Sequence, residues 1–445
     1  MGSDVTQSHR TTDAWLYGWA LGYAAVGAAS LLVPLYAIDL GAGALLVSLI
    51  AATAAFAGAP GAILWGRLVS RTHRRRPFIL VALGLTSAVL ALTPLLSSPW
   101  TVLAANALLW FVVAAAAPVL NLVVVEGHQQ HQWPVRFGLL NKYQGYGWLA
   151  GLVVGAGWSG VAGSAFGLSP LVAKRLFFVG AGLTALLGAF VVYLRYPERP
   201  RITERRFVRL LRHVQQNGFG GDRSTRAVPF GPGRVYWGLR SLRFGDDARR
   251  RLRSRLATPI VRYLAAATLF FAAFSVFFGP LPAFLTDVGY GTDEVFVLFV
   301  VSSAASAVAY APVGTLVARI DALRLQTSAL VSRAILFPLV AVVGLGVAPP
   351  GGVVLVGALF AAIGLSWAVI AVTATGLVTN LAPEPVRSEA LGAYTALGSL
   401  GGGVGSAVGG VVAGSVGYVA AFALAAVCLL ASVAVVVRER TVRGI

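Results

Sequence analysis

The stretch GRLVSRTHRRRP, Gly66 to Pro77, returns in part 248 positions later as GTLVAR, Gly314 to Arg319, with Gly, Leu, Val and Arg at matching places. Upstream at the same offset, Pro34, Asp39, Gly41 and Gly43 reappear as Pro282, Asp287, Gly289 and Gly291. Downstream, at an offset of 251, Pro134, Val135 and Arg136 return as Pro385, Val386 and Arg387, and Tyr143, Gly147 and Gly151 return as Tyr394, Gly398 and Gly402. So many matches at a nearly constant spacing mark a duplicated unit.

Composition says what was duplicated. The chain is 57% hydrophobic and 11% charged, whereas soluble domains carry about 25% charged residues. Crossing a bilayer as a helix takes about 20 apolar residues. Twelve such runs are present, near 14–38, 43–66, 77–96, 99–125, 138–164 and 173–194 in the first half, and 259–286, 294–318, 325–347, 351–380, 388–414 and 417–437 in the second. The expected fold class is therefore an all-α polytopic membrane protein, with twelve transmembrane helices in two pseudo-symmetric six-helix bundles. The expected division is a tail over 1–13, a bundle over 14–194, a basic linker over 195–257, a second bundle over 258–437 and a tail over 438–445. The first run is longer than a signal-peptide core and has no clear cleavage site behind it, so it is expected to stay as a span. Gly, Ala and Ser are frequent in the runs, which points to close helix contacts.

Orientation follows from basic residues in the connections. Placing both termini in the cytoplasm puts the arginines of Gly66 to Pro77, together with Arg136, Arg319, Arg324, Arg387 and Arg438, on that side, and leaves only Lys174 and Arg175 opposite. A multi-pass protein of the cell membrane with cytoplasmic termini is expected. The 195–257 linker has 17 Arg and no Lys against 5 acidic residues. Within it, Phe207, Leu210, Leu211 and Val214 share one helix face amid Arg205, Arg206, Arg209 and Arg212, a pattern suited to anionic lipid headgroups. Nucleic acid is not an expected partner of this membrane-tethered segment.

Twelve spans in two repeated halves, a long basic loop between them, and a Gly-to-Arg signature after spans two and eight resemble the major facilitator superfamily. That family's loop motif reads roughly GxLADRxGRR, and Gly66, Leu68, Arg71, Arg74 and Arg75 match it, with Val69 replacing the Ala. Ser70 replaces the usual Asp, His73 replaces a Gly, and Ala318 takes the Asp place in the second copy. The resemblance implies a monomeric secondary transporter whose halves rock about a site near the bilayer midplane. General likeness suggests efflux of amphipathic compounds against protons; uptake of a sugar or other metabolite by symport or facilitation, and a non-transporting sensor, stand as alternatives.

Mid-span polar and aromatic residues are the candidate substrate contacts: Ser30, Asn106, Trp110, Trp148, Phe274 and Trp367. Aromatic faces suit flat, amphipathic or cationic molecules. Trp15 and Trp19 are expected in an interfacial belt. The gating candidates are Gly66, Ser70, Arg71, Gly314, Arg319, Glu126, Arg136, Arg387 and Glu389, with Glu126 expected to pair with clustered arginines at the cytoplasmic rim. Ionisable groups in spans are functional candidates by default: Asp39 for coupling or for making a turn, Glu126, and Arg333, which lies deep enough either to bind an anion or to bond helix carbonyls. No carboxylate stands mid-span, so proton coupling would titrate Glu126, Glu389, Asp13 or Asp39.

Several classes are set aside. No GxxxxGK[ST] phosphate loop occurs. GAGWSG, Gly155 to Gly160, fits a dinucleotide template only by letters, since it lies inside an apolar run. Cys428 is the sole cysteine. His128 and His131 near Glu126 have ligand-like spacing but no further ligands, so no metal, cofactor or catalytic activity is expected.

Overall fold

The structure is a computed structural model that describes residues 13–58, 60–61, 75–125, 133–196, 258–317, 319–347, 349, 351–382 and 387–443. Gly66, Ser70, Arg71 and Glu126 lie outside the described residues, as does the linker beyond Tyr196. Backbone polar groups in hydrocarbon must be satisfied within the segment, which leaves an apolar run one solution, the helix. The first half forms α1 Trp15–Asp39, α2 Ala44–Phe56, α3 Arg76–Leu92, α4 Pro99–Val125, α5 Trp133–Phe166 and α6 Pro170–Arg195. The second forms α7a Thr258–Phe278, α7b Leu281–Asp287, α8 Thr292–Leu316, α9 Ala322–Gly346, α10 Gly351–Leu381, α11 Arg387–Ser415 and α12 Tyr418–Arg443. Counting α7a and α7b as one, eleven described helices are long and apolar enough to cross a membrane. The shorter α2 stands at the place of the twelfth.

Two of the boundaries that differ from expectation have a plain cause in the sequence. Span seven breaks after Phe278, where Gly279 leads into Pro280 and Pro282, two residues with no N–H to give a helix. α12 runs on to Arg443, past the expected end at 437, because nothing in the sequence after Val437 breaks a helix.

The duplication is visible in backbone detail. α1 ends at Gly41 with φ +91°, where Ala42 N–H donates to Ala37 O at 2.9 Å; α7b ends at Gly289 with φ +94°, where Tyr290 N–H donates to Leu285 O, also at 2.9 Å. A positive φ strains any residue with a Cβ, so both copies keep Gly at this turn. Gly43 and Gly291 then cap α2 and α8 in extended conformation.

Packing repeats as well. α1 lies against α5 and α6 as α7a lies against α11 and α12, and α3 meets α6 as α9 meets α12. Small residues set these distances. A Cβ on Gly151 would stand 2.0 Å from Ala24 O, and one on Gly405 would stand 2.1 Å from Ala272 O. Between the halves, α2 packs on α11 and α5 on α8. Ser406 Oγ donates to Ser48 O at 2.8 Å, and the Phe177 and Phe296 rings meet edge to face at 6.2 Å. These contacts lie toward the end of the bundle away from the chain termini.

Candidate functional site

A cavity of about 250 Å³ lies between the two halves at mid-depth. The first half contributes from α1, α2, α4 and α5, and the second from α7a, α8, α9, α10 and α11. The structure brings Ser30, Asn106, Trp110, Trp148, Phe274 and Trp367 together on its wall, with Arg333. Sequence reasoning missed Phe271, Tyr394 and the hydroxyls of Ser302, Ser303, Ser306, Ser399 and Ser406, which also line it. A signal was there: Ser302, Ser303 and Ser306 follow helical spacing on one face of α8.

The walls differ in chemistry. In the first half, Asn106 on α4 donates through Nδ2 to Ile50 O at 3.0 Å and to Thr53 Oγ1 at 2.6 Å, which ties α4 to α2. Ser30 Oγ donates back to Gly27 O at 2.6 Å. Both polar groups are therefore partly engaged in helix contacts. In the second half, Phe271, Phe274 and Trp367 pack edge to face, with centroids 6.0 to 6.5 Å apart.

Among the described residues, Arg333 is the only charged one on the wall. It stands 11 residues into α9, roughly 16 Å along the axis at 1.5 Å per residue. Its side chain is 2% exposed. Nε donates to Ser366 Oγ at 2.9 Å, and Nη2 donates to Ile363 O at 2.9 Å. Ser366 Oγ donates in turn to Ile363 O at 2.8 Å, so α10 supplies a fixed bracket for the guanidinium. The guanidinium carbon sits 4.4 Å from the Phe274 ring centroid and 5.5 Å from that of Trp367. Nη1 is buried without a hydrogen-bond partner. The guanidinium thus bonds a helix carbonyl, and one donor nitrogen beside it is left without a partner.

The other ionisable candidates sit at the bundle ends. Asp39 pairs with Lys174 of α6, whose Nζ lies 2.7 Å from Oδ2 and 2.8 Å from Oδ1. At the equivalent place, Asp287 accepts from Tyr418 Oη of α12 at 2.5 Å. The turns expected of these carboxylates are made by Gly41 and Gly289 instead. Arg136 forms a two-pronged ion pair with Asp13 and donates through Nε to Val124 O at 3.1 Å. Gly314 lies in the last turn of α8, Arg319 is exposed in the following turn, and Arg387 and Glu389 fall in the first turn of α11. Trp15 and Trp19 are not interfacial. They are 2% and 3% exposed and packed inside the first bundle, because α1 is apolar on every face and depth alone does not tell which face meets lipid.

The fold has known counterparts. A variant of the nucleoside transporter NupG superimposes with a TM-score of 0.69 at 11% identity, over 96% of this chain and 99% of that one. A bacterial homolog of the human lysosomal transporter Spinster, inward-facing and unoccupied, gives 0.64 at 13% identity, over 98% and 96%. A POT family transporter in complex with 5-aminolevulinic acid gives 0.65 at 12%, over 96% and 95%. At such identities the likeness concerns the fold alone. No curated protein matches the sequence. The sequence profile of the Major Facilitator Superfamily covers residues 15–405, and with twelve apolar helices in two repeated halves around one cavity, this chain belongs to that superfamily.

Proposed function

We infer that the protein moves a small organic solute through the central cavity by alternating access of its two halves. The observation that carries this reading is a mid-depth cavity with walls from both halves, beside inter-half contacts that lie toward one end. Rigid-body rocking would exchange the closed end for the open one. With the termini in the cytoplasm, as the arginine distribution favours, the inter-half contacts named among the described residues lie on the outer side, as an inward-facing state requires. Gly314, Arg319 and Arg387 stand at the rim that would close in the other state, with Arg71 and Glu126 as further gating candidates from the sequence.

Among the described residues the wall has Arg333 and no carboxylate, which favours facilitated movement, or coupling through groups outside the cavity, over direct exchange of solute and proton at one site. In the efflux-type proton antiporter suggested by the sequence, Asp13 and Asp39 are the described candidates, each now in an ion pair. Flux in proteoliposomes with and without an imposed pH gradient tests both levels. Solute movement is expected for at least one class of small organic compound. A gradient that drives accumulation supports antiport, equilibration alone supports facilitation, and binding with no net movement would leave a sensor.

A further inference from the structure

Among the described residues lining the cavity, Arg333 carries the one charge, and no carboxylate is among them. An ionised guanidinium in the middle of a membrane costs on the order of several kcal/mol, and a buried polar group without a partner calls for an explanation. The protein supplies Ser366, Ile363 O and three aromatic faces, those of Phe274, Phe337 and Trp367, yet Nη1 remains unbonded. Three carboxylates near the bundle ends are engaged elsewhere: Asp13 with Arg136, Asp39 with Lys174 and Asp287 with Tyr418.

We propose that the solute is a small aromatic carboxylate, with its negative group held by Arg333 Nη1 and its ring against Phe274, Trp367 and Trp110. The proposal rests on the transport reading and names the class of solute for that same cavity. A guanidinium recognises a carboxylate through charge-assisted hydrogen bonds. Ser366 and Ile363 O already fix its plane, so little side-chain freedom is lost on binding. A cation of the same shape would meet the Arg333 charge with no acid among the described wall residues to oppose it. The volume, about 250 Å³, limits the ring system to one or two rings.

The test uses the full chain in nanodiscs and matched trios of benzoate, benzamide and benzylamine; indole acetate, indole acetamide and tryptamine; and naphthoate, naphthamide and naphthylmethylamine. Melting shifts report binding to the folded state. In any trio that binds, the carboxylate is expected to bind about tenfold or more tighter than its amide, the worth of a hydrogen bond to a charged group, and the amine no better than the amide. Arg333→Gln should abolish the difference between carboxylate and amide while sparing amide binding. If that variant does not fold, Arg333→Lys, which keeps the charge and loses the fork, should shrink the preference several-fold. Equal binding of amide or amine, no shift with any carboxylate, or a preference that survives Arg333→Gln would overturn the proposal. Flux of the same compounds separates the two readings. Movement of amines or amides without carboxylates defeats the anion site and leaves transport standing, whereas carboxylate binding without flux defeats transport and leaves the anion site.

Discussion

Arg333 and Asn106 both line the cavity, but the structure uses them differently. Asn106 holds α2 to α4 through its amide, so Asn106→Leu should cost about 1 kcal/mol, in the range of interhelical hydrogen bonds in membranes, and lower the melting temperature by a few degrees. An unchanged melting curve would mean that those bonds add nothing. The pair of Asp39 and Lys174 offers a second check. Lys174 is 6% exposed, and without Asp39 its remaining contact is Leu35 O at 3.5 Å. Breaking one side of such a pair is costlier than removing both. Asp39→Asn is expected to destabilise by about 1–3 kcal/mol, and adding Lys174→Met should restore part of the loss in thermal unfolding. At this scale the sequence was partly legible. Depth could be counted along each run, which is how six wall residues were named. Helical face could not, which is why Trp15 and Trp19 were misplaced and the serines of α8 passed over. The Asp13 partner of Arg136 lies 123 positions away in sequence, and no local pattern encodes such a contact.

At the scale of elements, glycine sets how closely helices approach. A Cβ on Gly409 would lie 2.4 Å from Val276 O, a backbone atom that cannot yield without moving α7a. One on Gly414, a turn later, would lie 4.0 Å from the Leu45 Cβ. Gly409→Val should therefore destabilise by about 2 kcal/mol or more, as overpacking does, while Gly414→Ala should be tolerated. Yield of monodisperse protein and melting temperature read both, and equal behaviour of the two variants would contradict the packing account. The repeat made the equivalence of these elements readable in advance: Asp39 and Gly41 recur as Asp287 and Gly289, and both copies turn at the glycine. The break in span seven was not read, although Gly279 and Pro280 were in plain view. The equivalent region of α1, which contains Pro34, continues as a helix, and the duplication argued for the same in span seven.

For the whole molecule, the account requires that contacts such as Ser406 to Ser48, and Gly410 against Ser48 and Leu45, separate during the transport cycle. A ligand shifts such an equilibrium only by binding one state better than the other. The most direct measurement is the distance between spin labels at Thr101 and Val416, exposed positions at the loop end of opposite halves, in a Cys428→Ser background. Two populations are expected, the shorter corresponding to the conformation described here, with their ratio shifted by an aromatic carboxylate that binds. A single distance, unchanged by pH or by every compound that binds, would contradict alternating access in this protein.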